Sequence, residues 1–156
     1  MAHHGCRQLS SAGLVSRPPG IAPNRNKLPW RPVSTISKRS CNSLAAASLE
    51  ADKAGLQYCV TGDFEWHLHA GPDAPHGRIV HGVDGMLEVI RWRQANWLDV
   101  RYQDVAYTYT AHLVVQTFRI IGADQHGRRF DCRGVDLYDV RDDRLARKDS
   151  FWKHII

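Results

Sequence analysis

The chain has 156 residues, 43% of them hydrophobic, enough for one domain with a sizeable core. Its formal net charge of +5 belongs to one end: residues 1–49 hold seven Lys or Arg and no acid, whereas the remainder holds 14 basic and 16 acidic residues. A slightly acidic folded part argues against a specific nucleic-acid partner, and no apolar stretch is long enough for a secretory core or a membrane span. The four cysteines (Cys6, Cys41, Cys59, Cys132) are widely spaced without a CxxC pair, which suits a reducing compartment and a cytoplasmic location.

Residues 1–42 carry five of the seven prolines and show no sustained apolar periodicity, so they read as a disordered tail. Their Arg- and Ser-rich, acid-free composition is also that of an organelle transit segment. A basic tail touching anionic partners, or a start assigned too far upstream, has the same composition. The folded domain is then 43–156. Residues 43–59 (SLAAASLEADKAGLQYC) are expected to be helical, as one helix or two short ones. A strand follows over 64–69, with Phe64, Trp66 and Leu68 on one side and Glu65, His67 and His69 on the other. Residues 71–77, with Pro72 and Pro75, read as loop. Over 83–97 the stripe Val83, Met86, Leu87, Ile90 and Trp97 predicts an amphipathic helix, with Arg91 and Arg93 as solvated charges. Four strands are then expected at about 98–109, 113–122, 128–140 and 144–154. The order of elements is α+β, with helices packed on one face of a curved antiparallel sheet.

The last two strands hold the most pointed feature, GVDLYDVRDDRLARKDSFWK (134–153). A two-residue loop at Asp142-Asp143 pairs Val140 with Leu145, and an unbroken ladder then sets Asp136 opposite Asp149. Directly opposed residues have Cβ atoms roughly 5 Å apart, and like charges there are unfavourable. Such a pair either shares a proton, one acid staying protonated while the other acts as base, or is neutralised by nearby arginines such as Arg147 and Arg119. Tyr138, on the same face, is placed to donate a hydrogen bond to a developing enolate.

The segments DFEWHLHAGPDAPHGRIVHGVDGM (63–86) and GRRFDCRGVDLYDVRDDRLARKDSFWKHI (127–155) resemble SnoaL-like members of the nuclear transport factor 2-like superfamily, over about 52–154. The resemblance implies a conical α+β fold whose curved sheet and helices enclose an apolar pocket, usually in a homodimer. Asp136 stands where ketosteroid isomerase-like members keep a protonated oxyanion-donor Asp, and Asp149 where epoxide hydrolase-like members keep a catalytic Asp. The isomerase's general base falls near Leu68 and the hydrolase's Arg-x-Asp pair near Thr117 and Arg119, and neither is present here. Only the acidic pocket carries over, not either activity.

The candidate site is therefore Asp136, Asp149 and Tyr138 for catalysis. Trp66, His67, Leu68, His69 and Phe118 are its ligand-binding walls. The expected function is binding of a small apolar or aromatic molecule, with cofactor-free isomerase, cyclase or hydro-lyase chemistry by the carboxylates. The alternatives are a non-catalytic ligand-binding or dimerisation module, and a metal-dependent enzyme using the His67-x-His69 pair. No metal or cofactor is assigned, and the tryptophans Trp66, Trp92, Trp97 and Trp152 are read as core or dimer-interface residues.

Overall fold

In the computed structural model, which describes residues 35–153 and side chains from residue 42 onward, the first helical stretch is two helices. α1 (Thr35–Glu50) and α2 (Lys53–Cys59) are parted by Ala51, at φ 51°, and by Asp52. The Asp52 side chain accepts a hydrogen bond from the Ala54 amide at 3.0 Å and caps α2. Of the expected disordered tail 1–42, residues 35–42 are helical, as the first part of α1, and residues up to 34, with their disorder and transit-segment readings, lie outside the described residues.

Next come β1 (Val60–His67), β2 (Ile79–His81), α3 (Gly82–Asn96), β3 (Trp97–Tyr109), β4 (Leu113–Asp124), β5 (Arg129–Arg141) and β6 (Arg144–Lys153). β2 is too short to announce itself in the sequence. The six strands form one mixed sheet in the order β2-β1-β6-β5-β4-β3. The expectation of an antiparallel sheet is corrected at one junction, because β1 and β6 run parallel. α3 takes the chain from one edge of the sheet to the other, and three hairpin reversals bring β6 back alongside β1 in the same direction.

Bulges curve the sheet. Along β3 the register against β4 slips by one residue between Leu98 and Arg101 and again between Gln103 and Ala106. Asp99 and Asp104, both at φ 51°, sit in those intervals; a short polar side chain tolerates the left-handed region, and each bulge bends the strand. The three helices cover the concave face, burying Leu56, Phe64, Leu87, Ile90, Val114 and Leu145 in one cluster. A second cluster of Phe118, Ile120 and Cys132 packs with Trp97, Phe130 and Trp152. Cys59 and Cys132 are buried outside any disulfide, and burial raises the pKa of both thiols. Among the described residues no helix is long and apolar enough to cross a membrane.

Gly134 is where the two strands β4 and β5 leave no room. A Cβ built there runs into the ring of Phe118, its register partner and itself buried. Gly134→Ala is expected to cost about 1–3 kcal/mol in urea unfolding, and Phe118→Leu in that background to return part of it.

Candidate functional site

The β5–β6 hairpin turns through Asp142 and Asp143, at φ 51° and 60°, in a loop whose twist matches the flanking strands. Arg141 pairs with Arg144 and Val140 with Leu145, as predicted. The ladder then breaks: Asp139 pairs with Arg147, leaving Ala146 as an extra residue on β6. From there Tyr138 faces Lys148, Leu137 faces Asp149, and Asp136 faces Ser150. A slip of one residue turns every later β6 side chain to the opposite face.

The predicted opposition of Asp136 and Asp149 is therefore overturned. Asp149 lies on the outer face, beside Leu137 and next to His67 of β1, and Lys148 takes its place inside. Arg147 and Arg119 do not neutralise the interior acid either. Arg147 pairs with Asp139 at 3.3 Å, and Arg119 holds Asp131 through two bonds of 2.8 and 2.6 Å, depressing the Asp131 pKa.

Two rows of side chains cross the interior of the sheet. In one, Gln116, Asp136 and Ser150 are successive register partners; in the other, Tyr138, Lys148 and Trp66 are. Asp136 is 4% exposed, and the Lys148 ammonium lies 2.9 Å from its Oδ2. Its Oδ1 is buried with no hydrogen-bond partner among the described residues. Lys148 also sits 4.5 Å from the Trp66 ring centroid and 5.4 Å from that of Tyr138, so two aromatic faces and one carboxylate surround the cation. The Tyr138 hydroxyl donates to Gln116 Oε1 at 2.7 Å and approaches Asp136 Oδ2 only at 3.4 Å, a long contact. Trp66 Nε1 donates to Ser150 Oγ at 2.9 Å, which locks the wall residue to the Asp136 row.

Phe118 closes the foot of this interior, with Tyr102 at 5.3 Å and Trp152 at 6.4 Å between ring centroids. Leu68 is buried and His69 stacks flat on Trp152 at 3.7 Å. His67, by contrast, is buried on the outer face, 3.1 Å from Glu65 and edge-on to His76 at 5.1 Å. β1 ends at His67, so alternation does not carry on to His69, and the two imidazoles serve different faces. The HxH metal reading fails on that geometry: among the described residues no three His, Cys, Asp or Glu side chains converge as a metal site.

Arg93 departs from the expectation of a solvated charge. Its guanidinium lies 4.9 Å from the Trp66 ring centroid, 4.7 Å from Trp97 and 5.5 Å from Trp152. Burial lowers its pKa, while the charges of Tyr102 and Asp136 act the other way. Beside it, a cleft of about 440 Å³ is bounded by Leu68, His69, Val89, Trp92, Arg93 and Trp97. Asp136, Tyr138 and Lys148 do not line this cleft. Arg93 had a signal in the sequence, since it lies three residues after Ile90 and four before Trp97 on the apolar stripe. Lys148, Gln116 and Ser150 had none, because their placement depends on the bulge at Ala146.

The architecture and interior define a cone of the nuclear transport factor 2-like type. The family model of the SnoaL-like domain matches residues 42–148, and the chain belongs to that family. Comparison with curated proteins gives no match. Among solved structures, a nuclear transport factor 2-like protein from Burkholderia xenovorans LB400 superposes with a TM-score of 0.66 at 17% identity, over 78% of this chain and 93% of that one. A candidate polyketide cyclase from Xanthomonas campestris pv. campestris gives 0.61 at 15% identity, over 76% and 90%. IdmH, a candidate polyketide cyclase from Streptomyces antibioticus, gives 0.59 at 22% identity, over 75% and 91%. At these identities the likeness is one of fold.

Removing Lys148 leaves a buried carboxylate without its cation. Lys148→Met is expected to destabilise the protein by about 3 kcal/mol, and adding Asp136→Asn to recover at least half of that. Urea midpoints of the single and double variants measure both.

Proposed function

We propose that this SnoaL-like domain binds a small apolar or aromatic carbonyl compound in its cone and that Asp136 performs acid–base chemistry on it. The reaction would be a cofactor-free isomerisation, cyclisation or hydro-lyase step. The observation that carries this reading is the asymmetry of the Asp136 carboxyl group: Oδ2 is held by Lys148, whereas Oδ1 is buried and unsatisfied. A buried polar atom without a partner is costly in a resting protein and is explained by one supplied with the ligand. In this scheme Oδ1 takes a proton from the carbon next to the carbonyl, the electron pair moves onto the carbonyl oxygen, and the proton returns to another carbon of the enolate. Lys148 holds Oδ2 in place, and Tyr138 fixes the neighbouring Gln116. The polyketide cyclase descriptions of two structural neighbours support this substrate chemistry.

The second reading, a non-catalytic binding or dimerisation module, is favoured by the close packing of Asp136 and Tyr138, which are 4% and 3% exposed. The two are separated by solvent-deuterium exchange into the α-carbon of bicyclic aryl ketones. The enzyme reading expects exchange by the wild-type protein and a loss of about 10²–10⁴-fold in Asp136→Asn. Equal exchange by the two proteins leaves the binding module.

We also propose that two copies pair through the outer sheet face. Phe151, Val135, Thr117 and Ala106 lie side by side across β6, β5, β4 and β3 there, with Phe151 52% and Leu98 53% exposed. Phe151→Glu is expected to convert a dimer to a monomer in sedimentation equilibrium without loss of helix or strand signal.

A further inference from the structure

Among the described residues, the cations that border the interior differ in how their charge is met. Lys148 is balanced by Asp136 at 2.9 Å, and on the rim of the cleft Arg78 is balanced by Glu88 at 4.0 Å. Arg93 forms no ion pair of its own; the Asp136 carboxylate that Lys148 holds acts on it only through space. Among the described residues no side chain forms an ion pair with it and no oxygen accepts a hydrogen bond from it; its close contacts are the three tryptophan rings. A guanidinium carries five N–H donors in a fixed fork, and aromatic faces compensate its charge without satisfying those donors. The burial that depresses its pKa makes the missing counter-ion more costly still.

The cleft beside this cation is mostly apolar, with His69, Arg78 and Glu88 also in its lining. Trp97 and Val89 form walls, and Trp92 stands 56% exposed, its ring edge-on to Trp97 at 6.3 Å between centroids. The cleft volume of about 440 Å³ falls within the range of small-molecule sites. An exposed tryptophan beside an unpaired guanidinium matches a ligand with a flat hydrocarbon body and an anionic end, which the Arg fork grips in two bonds.

We propose that the cleft between α3 and the segment after β1 is a recognition site for aromatic carboxylates, with Arg93 as the anion anchor and Trp92 as the stacking wall. The site adds a substrate class to the acid–base reading, on which it rests for its biological role. Its readout is binding, not turnover, so the two fail separately.

The test is calorimetric titration of the full-length protein with 1-naphthoate and with the neutral isostere 1-naphthamide. The expected result is tighter binding of the carboxylate by at least about tenfold, since a charge-assisted pair is lost in the amide. Arg93→Met should abolish the preference, and Trp92→Ala, at an exposed position, should weaken both ligands. Charge-dependent binding supports the proposal whether or not aryl ketones exchange deuterium. Equal affinities for the two ligands in the wild-type protein, a comparison that needs no variant, would overturn it. So would the absence of heat from either ligand at millimolar concentration, or a preference that persists in a folded Arg93→Met.

Discussion

The interior of this protein depends on one unpaired residue. By inserting Ala146 into β6, the hairpin shifts its ladder so that Lys148 and Ser150, not Arg147 and Asp149, look into the cone. Without the shift the interior would hold two opposed carboxylates, Asp136 and Asp149, with Arg147 opposite Tyr138 in place of Lys148. With it, the buried Asp136 meets an ammonium on its own face, and the tryptophan of a neighbouring parallel strand meets a serine hydroxyl. A bulge forfeits part of a backbone ladder. Here that loss is set against the larger penalty of burying a carboxylate without a counter-charge.

The same shift explains why aromatic rings and cations alternate inside the cone. Lys148 is flanked by Trp66 and Tyr138, and Arg93 by Trp66, Trp97 and Trp152, so Trp66 borders both cations. Ring faces stabilise a positive charge while excluding water, and exclusion of water strengthens every remaining electrostatic contact. A site built this way is polar in its few donors and acceptors and apolar over most of its surface. That division suits a ligand with one functional group on a hydrocarbon frame.

Much of the fold was legible because its signals are periodic. The meander strands and α3 begin and end within about two residues of their expected limits, and the turn at Asp142-Asp143 sits where the charged break in alternation put it. The bulge was not legible for a specific reason. Register is dictated by an apolar pattern, and over Ala146-Arg147-Lys148-Asp149 there is none, so both registers are equally acceptable to local patterning. Only the tertiary environment of Asp136 chooses between them. Asp136, Tyr138, Trp66, Leu68 and Phe118 are buried, Asp149 turns to the outer face with the register, and His67 lies opposite Trp66, as the alternation along 64–69 has it. The parallel pairing of β1 with β6 joins segments some eighty residues apart in sequence, beyond the reach of any local signal.

The positions of the irregular backbone have a bearing on solubility. A six-stranded open sheet has two free margins, and a long flat margin is a template for runaway strand addition between molecules. At one margin β2 is only three residues long. At the other, β3 carries its two aspartate kinks, which interrupt the row of free amides and carbonyls and plant carboxylates along it. The residues that curve the sheet around its interior thus also break up the margin at which another strand could add.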